Sequence, residues 1–344
     1  MGKVSLQGVI DMHVHTNPDL RKRAYDDFEL MEAAIRVGAR AIVIKTHQGT
    51  TQDRAYLCNR HNEIVHGGDN NFTMFGSITL NRVVGGINPK AVDSSLKLGA
   101  KVVWLPTQSA KNHMEKMHQD VSGCVEVTRD GKIVPELKDV FSLIRDHDAV
   151  LGTAHISPAE SLIVVEAARD AGVKNIVITH PEWWIVGMTM EEQKRLVEDY
   201  DVILERCFAQ NMGGGKYKSN LPDNLETIRE IGYEHVMVDT DGGQTENPNW
   251  EIAMAEYMQY LIDHGVPEAL RIESELAVTA SLNTERGNNI ERRRAQHLVF
   301  FIGERQGRRG DNGIACVDAD RVEVFHRADG NHVSCRVAHD FKFN

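Results

Sequence analysis

The sequence predicts an α/β fold: a closed (β/α)8 TIM-type barrel over residues 1–290, followed by a short β-rich C-terminal extension over residues 291–344. Three observations predict it. Short apolar segments alternate with amphipathic ones eight times within about 240 residues, the tally and length of a closed eight-fold barrel. Segments such as Ala41–Ile44 are apolar on both faces, as a sheet covered by helices requires. The turn after the first strand carries His13 and His15, where the competing doubly wound sheet places a glycine-rich phosphate turn.

Each element has its local reason. Residues 8–16 (GVIDMHVHT) form strand one, whose alternation puts His13 and His15 on one face. Asp26 and Asp27 supply an N-cap, and Phe28, Met31, Ala34 and Ile35 recur at helical spacing until Gly38. Strand two, Ala41–Ile44, ends in Lys45, Thr46 and His47. Helix 52–66 leads to strand three at 72–79, and helix 90–98 leads through Gly99 to strand four at 101–105. Helix 136–147 precedes strand five at 149–154. Ser157 as N-cap and Pro158 at the first helical position open a helix running to Gly172, before strand six at 175–179. Thr189 opens the helix before strand seven at 201–205, and helix 223–231 leads through Gly232 to strand eight at 235–239.

Two loops exceed the usual length. Between strands four and five, alternation around Asp130–Gly131 predicts a β-hairpin where a lid over the barrel mouth would sit. After strand seven, Met212–Lys216 holds three glycines and reads as a flexible loop, with phosphate cradling as the lesser alternative. Residues 250–264 and 268–282 have helical character. Residues 313–317, 321–325 and 332–337 read as short strands, too few for an independent core, and predict an appended hairpin or an oligomer contact.

Composition narrows the function classes. With 39 basic against 50 acidic residues the net charge is -11, which leaves no basic field for a nucleic acid. The runs at Arg21–Arg23 and Arg292–Arg294 read as solvated faces. Five scattered cysteines without a Cys-x-x-Cys pair suggest neither a disulfide framework nor a thiolate zinc site. No signal-type apolar core and no apolar run of about 18 residues occur, so a cytoplasmic protein with no membrane partner is expected.

The polar residues gather at strand ends. His13 and His15 end strand one, Lys45 and His47 end strand two, His155 follows strand five, His180 follows strand six, and Asp239 and Asp241 end strand eight. With 16 histidines in 344 residues, any such position carries one by chance about one time in twenty, so this coincidence points to a metal site.

At these positions the sequence resembles the amidohydrolase superfamily of metal-dependent hydrolases, over approximately residues 8–283. The motifs are DMHVH (11–15), IKTH (44–47), Leu80–Asn81 with GGINP (85–89), WLPT (104–107), GTAH (152–155), THP (179–181) and VDTDG (238–242). The resemblance implies that His13, His15, His155, His180 and Asp241 hold one or two divalent ions, with zinc expected, and that Asp241 and His180 are catalytic. Asp241 matches better than Asp239, which the pleat turns away. The implied reaction is hydrolysis of a C–N or C–O bond of a small molecule, an amide, lactam, lactone or ester, by metal-activated water, with Asp241 passing the proton to the leaving group.

There are departures. The end of strand four reads Trp104-Leu105-Pro106-Thr107, offering neither the lysine nor the glutamate that bridges two metals in many members. Lys45 is the candidate for a carbamylated bridge, or else an ion-paired or substrate-facing lysine. Asn283 is followed by Thr284 rather than proline, and the tail has no counterpart. For substrate binding the candidates are His47, Arg21, Asn81, Arg82, Thr107 and Glu182. Arg21 and Arg23 are carboxylate clamps or surface charges; Glu182 supports the site or starts a helix. His113 and His118 are read as solvent-exposed, and Trp183 and Trp184 as pocket wall or barrel rim. A small-molecule substrate and a homo-oligomer are expected. The rival readings are a non-hydrolytic lyase (decarboxylase or hydratase), a barrel phosphoesterase or nuclease, and a non-catalytic metal-binding protein.

Overall fold

Eight parallel strands, each buried along nearly its whole length, make the sheet: β1 (Ile10–His15), β2 (Ala41–Lys45), β3 (Thr73–Thr79), β4 (Ala100–Trp104), β5 (Val150–Gly152), β6 (Asn175–Ile178), β7 (Ile203–Cys207) and β8 (Val236–Asp239). They pair in that order. The computed structural model describes residues 4–213, 216–266, 313–318, 321–328 and 332–337. Beyond β8 the chain returns to β1, where Val14 bridges Gly242 in parallel and the His15 amide donates to the Gly242 carbonyl at 2.9 Å, bringing the barrel nearly to closure. Gly243 follows with φ +94°, and a Cβ there would run into the His15 carbonyl oxygen. Only glycine fits this seam.

Among the described residues, eight helices accompany the sheet, α1 (Asp27–Arg36), α2 (Gln52–His66), α3 (Pro89–Lys97), α5 (Glu136–Asp146), α6 (Pro158–Asp170), α7 (Met190–Tyr200), α8 (Leu221–Ile231) and α9 (Trp250–Asp263), while the short α4 (Lys111–Lys116) lies by the cavity. Capping boxes at Asp26/Glu29, Ser157/Glu160 and Thr189/Glu192 start α1, α6 and α7, satisfying amides that have no partner within the helix. Alternation in β2 sets the layers. Ile42 and Ile44 pack outward with Leu30, Met31 and Ala34 of α1, while Ala41 and Val43 join Met12 and Phe75 in a second cluster. Lys45 continues the register of Ala41 and Val43.

In β1 the pairing with β2 slips by one residue, since Asp11 faces Ile42 while Val14 faces Ile44. The bulge separates the direction of Asp11 from that of the histidines. Asp11 accepts from the Trp250 indole at 2.9 Å and the Thr240 hydroxyl at 2.6 Å, tying β1 to α9 and to the turn beyond β8.

The long β4–β5 connection contains α4, which its sequence did not announce, and the expected hairpin, Thr128–Arg129 against Lys132–Ile133. Asp130 and Gly131 both have positive φ, as a two-residue turn matching strand twist requires. After β7, the ends of the loop expected at Met212–Lys216 lie on two paired antiparallel strands, Ala209–Gly213 and Lys216–Ser219, and residues 214 and 215 between them lie outside the described residues.

The chain divides into two compact units, Met1–Asn288 with Leu298–Gly303, and Asn289–His297 with Glu304–Asn344. In the second, Gly313–Asp318, Arg321–Ala328 and His332–Val337 form a three-stranded antiparallel sheet. The helix expected at 268–282 lies outside the described residues.

Candidate metal centre

The carboxyl ends of the strands open on a cavity of about 360 Å³, lined by His13, His15, His47, His113, His155, His180 and Asp241, with Trp183 and Trp184 on one wall. At its floor Asp241 Oδ1 lies 3.2 Å from Nε2 of both His13 and His15. The other rings follow around the mouth. His180 stands 5.8 Å from His13 between ring centroids, His155 stands 5.2 Å from His180, and His47 stacks on His15 at 4.8 Å. Residues more than 200 positions apart in the chain thus share one floor. Two of them, His180 (φ +28°) and Asp241 (φ +46°), adopt backbone angles uncommon for residues with a side chain, a feature that clusters at functional sites.

Two residues behind His13 set its chemistry. His13 Nδ1 donates to Glu205 Oε1 at 3.0 Å, and Glu205 Oε2 accepts from the backbone amide of His180 at 3.2 Å. One buried carboxylate therefore orients two strand ends and leaves the His13 Nε2 lone pair facing the cavity. That lone pair accepts from Lys45 Nζ at 2.9 Å, and the lysine lies 4.2 Å above the Trp104 ring. Trp104, at the strand-four position without a bridging carboxylate, serves as the platform beneath this amine.

A second arc lies across the cavity. Thr107 Oγ1 is 2.9 Å from His47 Nδ1, and Asn81 donates to Thr107 Oγ1 at 2.6 Å. His155 Nδ1 meets His113 Nδ1 at 2.9 Å, and Asn112 donates to the His155 carbonyl at 3.1 Å. Helix α4 thus grips His155 by side chain and backbone.

The electrostatics suit a cation. Burial holds His15, His47 and His155 well below the usual imidazole pKa, and brings His180 down to about 4. Burial pushes Asp241 up, but the neighbouring His13 and His15 outweigh it and hold its carboxyl well below the ordinary range. Burial likewise lowers Lys45, against the opposing pull of Glu205 and Asp241. Neutral imidazoles around an ionised carboxylate are the donor set of zinc-class ions. Among the described residues, Nδ1 of His15 and Nδ1 of His180 are buried without a hydrogen-bond partner, so the site carries unsatisfied nitrogen as well. His13, His15 and Asp241 bring three ligand atoms within 4.8 Å of one another; His13, Glu205 and Cys207 do so too. Only the first group faces the cavity. The residues present fit a divalent ion.

Several expected site residues lie elsewhere. Asn81 and Thr107 are buried behind His47 and do not line the cavity. Arg82 is exposed outside it, because it sits on a single turn of 3-10 helix after β3 that faces away. Glu182 points away from the cavity to Arg206, 3.2 Å from its guanidinium, and accepts from Asn220 at 2.9 Å. Arg21 does reach the cavity rim, but its guanidinium pairs with Glu246, and Arg23 pairs with Asp19 at 2.8 Å. His113 is buried at the site rather than solvent-exposed. Asp239 is buried, accepting from the Met12 amide at 2.9 Å, and does not line the cavity.

Glu205 and His113 escaped sequence reasoning. Glu205 had a signal: a carboxylate within an apolar strand destined for burial must have a partner. His113 had none, because nothing in its loop tells which way α4 faces.

Residues 8–205 match the family described as "Family of unknown function (DUF6282)". No curated protein matches the chain. Among solved structures, an amidohydrolase from Pseudomonas aeruginosa is 12% identical, with a TM-score of 0.54 over 76% of this chain and 91% of that one. An organophosphorus hydrolase from Deinococcus radiodurans, also 12% identical, gives 0.48 over 75% and 88%. At such identity the first likeness shows a shared fold, the barrel described above. Because the family match spans more than half of the 344 residues, from β1 through Glu205 of β7, the chain belongs to the DUF6282 family.

Proposed function

We propose that this chain is a metal-dependent hydrolase acting on a C–N or C–O bond of a small molecule, an amide, lactam, lactone or ester. The observation that carries the reading is the convergence of His13, His15, His155, His180 and Asp241, from four strand ends, on one cavity of about 360 Å³. That volume is at the small end for ligand sites. The barrel shared with an amidohydrolase agrees with it by analogy of fold.

His13, His15, His155, His180 and Asp241 would hold the ion, zinc being favoured by the nitrogen-rich donor set. When bound, such an ion acidifies water and polarises a carbonyl. The chain's own groups do the rest. Asp241, ionised and held by Gln244 through its carbonyl at 2.8 Å and its Oδ1 at 3.3 Å, takes the proton from the attacking water and returns it to the leaving group. His180 stands by as a neutral imidazole beside the reacting carbonyl. Trp183 meets the His155 and His180 rings edge-on at 4.8 and 5.0 Å, excluding water from that side. Lys45, buried and with its amine shifted toward the neutral form that adds carbon dioxide, is suited to become a carbamate ligand.

Metal analysis of purified protein, joined to a panel of amides, lactams, lactones and esters in 18O-labelled water, tests the reading. Bound metal at one or two per chain, turnover lost on chelation and regained with zinc, and 18O in the product support it. Turnover without 18O incorporation moves the assignment to a lyase. Metal-independent turnover, or hydrolysis confined to phosphate esters, overturns it.

A further inference from the structure

We propose that His47 is a fixed hydrogen-bond donor to the substrate's carbonyl oxygen, its ring locked as the Nε2–H tautomer by a relay from Asn81 through Thr107. This rests on the hydrolase reading for the identity of the acceptor, but the lock follows from the hydrogen-bond network alone.

The relay has one consistent assignment. Asn81 Oδ1 accepts from two backbone amides, Thr107 at 2.9 Å and Ser109 at 3.1 Å, and backbone amides only donate. The Asn81 amide group is thereby oriented. Its two Nδ2 hydrogens go to the His47 carbonyl at 2.9 Å and to Thr107 Oγ1 at 2.6 Å. Thr107 is fully buried, and its hydroxyl proton has one remaining acceptor among the described residues, His47 Nδ1 at 2.9 Å. If His47 Nδ1 carried the proton instead, the threonine hydroxyl hydrogen would be buried without a partner, which is the costly arrangement. Nδ1 is therefore the acceptor, and the ring's proton sits on Nε2.

His47 lines the cavity, stacked on His15 at 4.8 Å and 5.8 Å from His155 between centroids. An Nε2–H there is a neutral donor beside the metal-site imidazoles, placed to meet an oxygen on which charge develops. Asn81 and Thr107 are positioning residues: they touch His47 and not the cavity.

Full-length protein with 15N-labelled histidine provides the test, read by long-range proton–nitrogen correlation at neutral pH with and without zinc, His47 being assigned by its loss in His47→Phe. Wild-type protein should show the Nε2–H tautomer, Thr107→Ser should keep it, and Thr107→Val should release the ring to Nδ1–H or to a mixture. Thermal unfolding confirms that each variant is folded; should Thr107→Val fail to fold, Asn81→Asp, which removes both Nδ2 hydrogens and offers the Thr107 hydroxyl a competing acceptor, replaces it. Acetohydroxamate, a small carbonyl probe, should shift the His47 Nε2–H proton in the zinc form, and His47→Phe should weaken its binding about tenfold, the worth of one hydrogen bond. An Nδ1–H or doubly protonated ring in wild type, a tautomer indifferent to Thr107→Val, or a probe that binds without shifting His47 overturns the proposal. Absence of hydrolytic turnover with the tautomer lock intact would instead remove the hydrolase reading and leave the relay standing.

Discussion

The two sides of the cavity hold the same side chain by different means. On the β1, β7 and β8 side, His13 is held by the Glu205 carboxylate, and Asp241 stands 3.2 Å from His13 and His15. Across the cavity, the ring partners of His47 and His155 are the Thr107 hydroxyl and the His113 imidazole. A carboxylate behind an imidazole raises its basicity and fixes the far lone pair for a cation; a neutral partner fixes direction alone. The difference leaves His13 beside a buried negative charge, and His47 and His155 oriented by neutral partners.

Asp241→Asn strikes the charged side hardest. It should lower the hydrolytic rate by about 10²–10⁴-fold, the usual contribution of a positioned proton-transfer group, measured as kcat/KM on any substrate that turns over. A loss under tenfold would remove Asp241 from the proton path. Glu205→Ala comes next. It leaves the His13 Nδ1–H and the His180 amide without their acceptor in a fully buried place. Urea unfolding of the metal-free protein should show a loss of about 2–6 kcal/mol, as for two buried donors left unsatisfied. Competition titration should show metal affinity reduced about 10–100-fold.

Acid separates the two sides differently. Burial brings His180 and His113 to about 4 in the folded chain, against about 6.5 in the unfolded one. Between those values the unfolded chain binds more protons, so stability is full above about pH 6.5 and falls as pH drops toward 4, by up to about 1.4 kcal/mol per unit for each histidine. The depressed Asp241 adds its own loss only at lower pH, below the usual carboxylate range. Melting temperatures of metal-free protein from pH 7.5 to about 4.5 should decline steadily; a flat profile would contradict buried neutral imidazoles. The smallest effect belongs to His113→Leu. It should cost about 1–3 kcal/mol, by leaving His155 Nδ1 unpaired, and flatten part of that decline.

The barrel was legible because eight buried strands must be apolar on both faces, and because Asp26, Ser157 and Thr189 announce their helices in the residues themselves. The clustering of His13, His15, His155 and His180 was legible because strand order and register put all four at one end of the sheet. What lies behind them was not. Glu205 needed the facing of β7, His113 needed the orientation of a six-residue helix in a loop, and Asn81 and Thr107 show their supporting role only through bonds to neighbours distant in sequence. Arg82 and Glu182 look like site residues from spacing, yet a single turn carries each away from the cavity.

Anomalous diffraction at the zinc edge, from crystals grown with zinc, tests the central claim most directly. The account predicts a strong peak in the cavity within bonding reach of His13 Nε2, His15 Nε2 and Asp241. No peak at saturating zinc, or one seated instead between Glu205 and Cys207, would contradict it.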